Sequence, residues 1–258
     1  MSVLLTTDHD SLRVLTLNRP EKRNALNDEL VAELKRAVRA ADADDSLSAV
    51  VIRGAGKDFC SGADLSALQK IAGASYEENL EDAKSLAELF SLIRNARVPV
   101  IAAVHGRALA GGCGLATGCD IVLATETARF GYPEVKIGFV PAIVMAILRR
   151  NLGEKLAFEL VTQGFEFTAP EAKGLGLVNR LLPEEGFEAA VLDYAAVYSK
   201  ISRTAVALSK SLLYRMDAMD FAAALAAGSE TNAEARMTED CQKGIARFLD
   251  KQPGERPL

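Results

Sequence analysis

The sequence predicts an α/β fold whose last third is a helical layer. Three observations lead there. Short apolar runs bounded by Gly, Pro or Asp recur through the first half, helical amphipathic spacing appears between them, and the pattern becomes almost wholly helical from Pro141 onward. Val3 to Leu17 reads as two short strands around the polar turn Asp8-His9-Asp10, a hairpin. After Asn18-Arg19-Pro20, apolar residues at Leu30, Leu34, Ala37, Val38 and Ala41 share one helical face, with Glu33, Lys35, Arg36 and Arg39 turned to water. Ala49 to Ile52, Val100 to Val104 and Ile121 to Ala124 are apolar without alternation, as expected of strands buried on both faces. Helices are expected over 152–163, 184–199, 203–216 and 218–249. The polar, Ala- and Glu-rich stretch from Gly73 to Ala87 is expected to be a mobile segment facing a substrate. The division is into a core, 1–195, and a C-terminal helical region, 196–258.

Composition narrows the function classes. At 258 residues with 49% hydrophobic and 25% charged content, the chain can bury one sizeable core. A formal net charge of −5 argues against a surface that coats nucleic acid, because phosphate binding is driven by clustered cations. Any anionic ligand must therefore be met locally. Cys60, Cys113, Cys119 and Cys241 form no Cys-x-x-Cys pair, and His9 and His105 are the only histidines, so a Cys/His metal site is hard to assemble. Reduced, packed thiols are expected. The first twenty residues carry Asp8, Asp10, Arg13 and Arg19 with no apolar h-region, and no run approaches the roughly 18 apolar residues that span a bilayer. These features point to a cytoplasmic protein.

Three segments carry chemistry. Gly56 to Leu65 leads from a strand into a helix, and small residues at Ser61, Gly62 and Ala63 let a ligand approach main-chain amides. Ala110-Gly111-Gly112-Cys113-Gly114 repeats the device after the strand ending at Val104. Glycine-rich turns after strands are commonplace, so each alone is weak. In Phe130 to Pro141, Glu134 follows Pro133 among apolar neighbours, where desolvation raises a carboxyl pKa toward the range in which proton transfer works well. A solvated loop glutamate paired with Lys136 is the alternative. No Gly-x-Ser-x-Gly elbow, Walker loop or full Gly-x-Gly-x-x-Gly fingerprint is present.

In order and separation these segments resemble the enoyl-CoA hydratase/isomerase (crotonase) superfamily, over nearly the whole chain. The resemblance implies a spiral of strand-strand-helix repeats with a C-terminal helical trimerisation region, a homotrimer or homohexamer, and an acyl-CoA thioester substrate whose enolate the protein stabilises. Phe59 to Leu65 resembles the first oxyanion loop, which makes the Ala63 amide one donor to the thioester oxygen. Gly111 supplies the second, and Glu134 moves the proton. Asn18 to Leu26 resembles the segment that lies along the CoA nucleotide, making Arg23 and Ala25 CoA contacts; Ser61, Asp64, Leu65 and Gly114 complete the implied binding set. Phe248 and Lys251 match a Phe and Lys that relatives offer to CoA, often across a subunit boundary; a buried Phe and a solvated Lys explain them equally well. No cofactor beyond the CoA of the substrate is implied.

One departure bears on the reaction. Two-glutamate hydratases of the family carry a second carboxylate at the position of Gly114. A single glutamate resembles both the double-bond isomerases and some hydratase-like bacterial members similar to methylglutaconyl-CoA hydratases, and Val140-Pro141-Ala142-Ile143 is closer to the latter. Hydratase is therefore ranked just above Δ3,Δ2-enoyl-CoA isomerase. A catalytically weak acyl-CoA- or RNA-binding member is the reading of a different class. Acyl length and branching are expected to be set by 66–90 and 140–147.

Overall fold

The structure is a computed structural model in which residues 2–250 are described. Strands β1 (Leu4–His9) and β2 (Leu12–Leu17) form the expected hairpin, with Asp10 at positive φ in its turn. Helix α1 (Asp28–Asp42) follows, capped by Asn27, whose side chain accepts the Leu30 amide. Then come β3 (Ala49–Gly54), α2 (Leu65–Gly73), α3 (Tyr76–Asn95), β4 (Val100–Val104), β5 (Arg107–Leu109) and α4 (Gly111–Gly118). They are followed by β6 (Ile121–Thr125), β7 (Arg129–Gly131), α5 (Ala142–Asn151), α6 (Glu154–Gln163), β8 (Glu166–Thr168), α7 (Ala169–Gly174) and β9 (Arg180–Leu182). The chain continues through α8 (Phe187–Ala195), α9 (Arg203–Arg215), α10 (Phe221–Met237) and α11 (Glu239–Asp250).

The main sheet runs β1-β2-β3-β4-β6-β9, antiparallel at the hairpin and parallel from β2 onward. Its central strands are buried on both faces, which is why they read as continuous apolar runs. Side chains alternate across a strand, so Val50, Ile52, Val100 and Ala102 join one core cluster while Ala49, Val51, Ile101 and Ala103 join the other. The first cluster is covered by Leu30, Leu34 and Val38 of α1, Leu89 and Ile93 of α3 and much of α4; the second by Val191 and Ala195 of α8. A side chain such as Leu34, fully buried, contributes about 1.5–3 kcal/mol by leaving water. A small second sheet, β5-β7-β8, pairs β5 with β7 in parallel and β7 with β8 antiparallel. It carries the loops discussed below.

The helical tail is tied to the sheet by a buried cation. Lys210 of α9 donates to the carbonyls of Ile93 (2.9 Å) and Val98 (3.0 Å) and to Asp120 Oδ2 (2.7 Å). Tyr214 donates to Asp120 Oδ1 at 2.6 Å, and the Val100 amide to Oδ2 at 2.7 Å. Burial lowers the Lys210 pKa against the pull of Asp120, and three acceptors hold the ammonium in place.

The structure corrects several expectations. The segment from Gly73 to Ala87 is not a loop: α3 begins there with a capping box in which Ser75 and Glu78 each satisfy the other's backbone amide. The expected helix over 218–249 is broken at Thr238, which is extended and whose Oγ1 accepts the Cys241 amide. The one over 184–199 starts only at Phe187, after Gly186 at φ +72°, and ends in a 3-10 turn, Ala196–Lys200. That over 152–163 starts at Glu154, and another helix, α5, precedes it. Strands β8 and β9 interrupt the part read as wholly helical; three residues are too few to show a period. The boundary at 195/196 falls where α8 passes directly into that 3-10 turn.

Candidate active site

The first loop is shaped by pairing on both sides. Cys60 donates to the Arg107 carbonyl (3.0 Å) and accepts from the Leu109 amide (2.9 Å), which lays residues 59–61 along β5. Gly62, at φ +96°, then turns the chain; a Cβ there would sit 2.8 Å from Ala110 Cβ, 3.0 Å from the Leu109 carbonyl oxygen and 3.7 Å from the Gly111 nitrogen. No other residue fits both the dihedral and the space. On the far side the Leu26 amide donates to the Gly62 carbonyl (2.7 Å) and the Asp64 amide to the Leu26 carbonyl (3.0 Å). These bonds bracket Ala63, an exposed residue whose own N–H makes no hydrogen bond among the described residues.

The second loop abuts the first. Ala110 lies at φ 50°, ψ −128°, a conformation a residue with a Cβ rarely adopts and one that costs on the order of 1–3 kcal/mol. It is held there by its amide, which donates to the Gly131 carbonyl (2.8 Å), and by its carbonyl, which accepts the Gly114 amide (3.0 Å). The turn starts α4 so that the Gly111 N–H is left, among the described residues, without a partner at the positive end of the helix. Gly112 is required for close approach, since a Cβ would lie 2.3 Å from the Cys60 carbonyl oxygen.

Glu134 sits in a 3-10 turn, Pro133–Ile137, three residues beyond the Gly131 carbonyl that holds Ala110. It is half-buried, and its Oε2 is enclosed with no hydrogen-bond partner among the described residues. Burial raises its pKa, opposed by its own backbone amide. No ion pair joins it to Lys136 among the described residues, and Lys136 is not among the causes of its pKa shift. Close by, Cys113 and the fully buried Tyr132 feel its charge; Tyr132 shares a 3.2 Å contact with Thr117 Oγ1, and burial pushes the Cys113 thiol up to about 12.

The Asn18 to Leu26 segment runs along the first loop. The Ser61 amide donates to the Arg23 carbonyl (3.0 Å), and Arg23, well exposed, has its Nε 3.9 Å from Asp58. Two residues absent from the sequence reading of the site fix this segment. Asn24, fully buried at φ 54°, accepts the Arg19 amide and donates to the carbonyls of Ala55 and Asp58, each bond 2.8–2.9 Å. Arg19 donates to the Ala25 carbonyl and to Asp64 Oδ2, both at 2.5 Å. An asparagine's tolerance of the left-handed region was the available signal.

Arg23, Ala25, Ser61, Ala63, Asp64 and Gly111 thus come together. Both Asp64 oxygens are already used: Oδ2 by Arg19, Oδ1 by the Ser66 amide and hydroxyl at the start of α2, which begins at Leu65. Gly114 is buried under α5. Phe248 stands apart, on a cavity of about 1090 Å³ lined by residues such as Asp44, Arg97, Tyr198 and Arg203, with none of Ala63, Gly111 or Glu134. Lys251 lies outside the described residues. Among the described residues no cluster of three His, Cys, Asp or Glu could hold a metal ion, and no helix is long and apolar enough to cross a membrane.

The Asp64 bonds lower its pKa from 3.8 to about 2, the Ser66 amide first among the causes. A carboxylate with a depressed folded-state pKa stabilises above its unfolded value and loses that contribution as pH falls through the folded one. Asp64→Asn is therefore expected to cost about 2 kcal/mol at pH 7, with the difference from the parent vanishing below pH ~2, as urea titrations at several pH values would show.

A largely parallel sheet with two abutting glycine-turned loops, each with an amide unpaired among the described residues, fits the resemblance drawn from the sequence. The enoyl-CoA hydratase/isomerase family model matches residues 7–255, and the chain belongs to that family. A Thermus thermophilus protein bearing an enoyl-CoA hydratase name is 40% identical over 250 residues, 97% of this chain and 99% of that one. The 2,3-dehydroadipyl-CoA hydratase of Escherichia coli is 36% identical over 253 residues, 98% of this chain and 97% of that one. The crystal structure of an enoyl-CoA hydratase from Mycobacterium smegmatis superposes with a TM-score of 0.92 at 35% identity, covering 99% and 98% of the two chains.

Proposed function

We propose that the chain is an enoyl-CoA hydratase, adding water across the double bond of a 2-enoyl-CoA. The observation that carries the reading is that two abutting loops present amides, Ala63 and Gly111, unpaired among the described residues, while Glu134, whose charge reaches Cys113 on α4, holds an enclosed Oε2 with no partner among the described residues. Ionised Glu134 takes a proton from water as the oxygen attacks C3. The electron pair moves to the thioester oxygen, where the two amides receive the charge without reorganising. Glu134, now a carboxylic acid, returns the proton to C2 and ends as it began. The cycle calls on no cofactor besides the CoA of the substrate, with Arg23, Ala25 and Ser61 flanking the CoA end.

The isomerase reading is favoured by one observation: no side chain stands at Gly114 to manage water separately. There Glu134 would take a proton from C2 of a 3-enoyl-CoA and return it to C4 of the same enolate. Incubation with crotonyl-CoA, a 3-enoyl-CoA and methylglutaconyl-CoA in deuterated water separates the two. Hydration gives a 3-hydroxyacyl product with deuterium at C2; isomerisation alone moves the double bond and gives no hydroxyl, with deuterium at C4 only to the extent that the proton held by Glu134 exchanges with solvent. Turnover of none of the three would refute both.

We also propose a cytoplasmic homotrimer or homohexamer. Phe221, Leu225 and Met237 of α10 and Leu213 of α9 are exposed, which supports burial against further copies. Light scattering at micromolar concentration should return three or six times the chain mass; the mass of one chain would contradict the proposal.

A further inference from the structure

α4 meets α5 through two glycines one turn apart. A Cβ built on Gly114 would lie 2.1 Å from Val144 Cγ1, 3.2 Å from Val144 Cβ and 3.4 Å from Phe90 Cζ, and one on Gly118 would lie 3.1 Å from Ile147 Cδ1. Gly114 and Gly118 form one stripe on α4, and Val144 and Ile147 one stripe on α5. Val144 is 3% exposed, and Phe90 backs the same contact. Gly114 is not at positive φ, so its backbone does not demand glycine. Within a helix, alanine would be the better residue. The requirement comes from across the interface. A valine in a helix has one strongly preferred χ1, and rotating it would leave its Cβ still 3.2 Å from the added carbon.

The place matters because of where a side chain at 114 would point. Cα–Cβ bonds in a helix tilt toward the N-terminus, and the Gly114 amide bonds to the Ala110 carbonyl at 3.0 Å, one turn back. A longer side chain at 114 would lean toward the amide end of α4, at Gly111.

We infer that Val144 is a specificity-determining residue: it fills the room that a second acid-base side chain on α4 would need, and so confines the site to one carboxylate. The single-glutamate chemistry is then a property of the α4/α5 packing and not of residue 114 alone. The chemical half of this inference rests on the enolate reading above; the steric half does not.

The test is a double-mutant cycle followed by a functional arm. Gly114→Ala is expected to lower the melting temperature by roughly 3–10 °C in the parent, against the helix preference for alanine. In a Val144→Ala background the same change should lower it by less than half as much, or raise it. An equal effect in both backgrounds overturns the steric half, with or without turnover. In the functional arm, Gly114→Glu is placed in the Val144→Ala background and compared with Val144→Ala alone and with Gly114→Gln in that background. Butyryl-CoA binding is measured first. The glutamate should raise the ratio of crotonyl-CoA hydration to 3-enoyl-CoA isomerisation at least about tenfold, and glutamine should not. A glutamate variant that binds butyryl-CoA like its background yet shows an unchanged ratio overturns the chemical half. A coupled melting cycle in a protein that turns over neither thioester would instead indict the enolate reading. The alanine cycle decides the steric half even if the glutamate variants fail to fold.

Discussion

Glu134→Gln is expected to leave the chain folded and able to bind a CoA thioester while turnover falls by at least about a hundredfold. Glutamine keeps the shape of the side chain and cannot accept or return a proton. The electrostatics give this variant a second signature. Burial raises the pKa of Glu134, because the ionised carboxylate is better solvated in the unfolded chain than in the folded one. The sign follows from linkage: a carboxyl whose folded-state pKa lies above its unfolded value loses stability as pH rises from the unfolded value through the folded one, and the cost is complete above the folded one. Glutamine removes that cost, so the variant should melt at the parent's temperature or above it. The parent's kcat should fall as acid protonates Glu134, with a midpoint above 4.5, the ordinary value for glutamate. Thermal melts, butyryl-CoA binding and a pH-rate profile check these points together. Near-parent turnover in a folded Glu134→Gln variant would remove the carboxylate from the mechanism.

What was legible in the sequence followed from length and period. The hairpin, α1 and the strands β3, β4 and β6 are long or periodic enough that burial alone spells them out, as the two-faced burial of Val50 to Ile52 shows. Strands of three residues, β5, β7, β8 and β9, carry no period, although the first three hold the loops of the site in place. The α3 start was written in Ser75 and Glu78, a local signal outweighed by the polar composition around it. At the site, the residue types were readable and their restraints were not. Nothing local marks Ala110 as strained, because its dihedrals are imposed by Gly131 on β7. The Arg19–Asp64 brace joins positions 45 residues apart, so its hold on the loop is invisible from either neighbourhood. Nothing near Gly114 in the sequence marks what requires a glycine there; the structure shows helical backbone and a valine across the interface. Each miss is a tertiary contact acting on a residue whose own sequence neighbourhood is ordinary.

Backbone amides cannot be removed by side-chain substitution, so the oxyanion assignment is best tested at the residue that holds the two loops together. Gly62→Ala is expected to lower kcat by about a hundredfold or more, the scale of losing one preorganised donor. The alanine meets two obstacles at once: φ is +96°, where a Cβ is strained, and the new carbon would stand 2.8 Å from Ala110 Cβ and 3.0 Å from the Leu109 carbonyl oxygen. Ala110 cannot yield easily, since its amide is bonded to Gly131 and its dihedrals are already unfavourable. The first loop must therefore move away from the second by a few tenths of an ångström or more. That motion carries Ala63 with it, because Ala63 is the next residue, while Gly111 stays on α4. A donor that no longer converges with its partner loses most in the transition state, where the thioester oxygen carries its charge. The loss should accordingly fall on kcat, with butyryl-CoA binding weakened much less, since in the proposed reading the CoA end is held by Arg23, Ala25 and Ser61, away from the displaced amide. Gly73→Ala, at a glycine with no atom within 4 Å of the added carbon, controls for glycine replacement as such and should turn over normally. A folded Gly62→Ala enzyme with kcat within threefold of the parent would mean that the two amides are not the oxyanion donors.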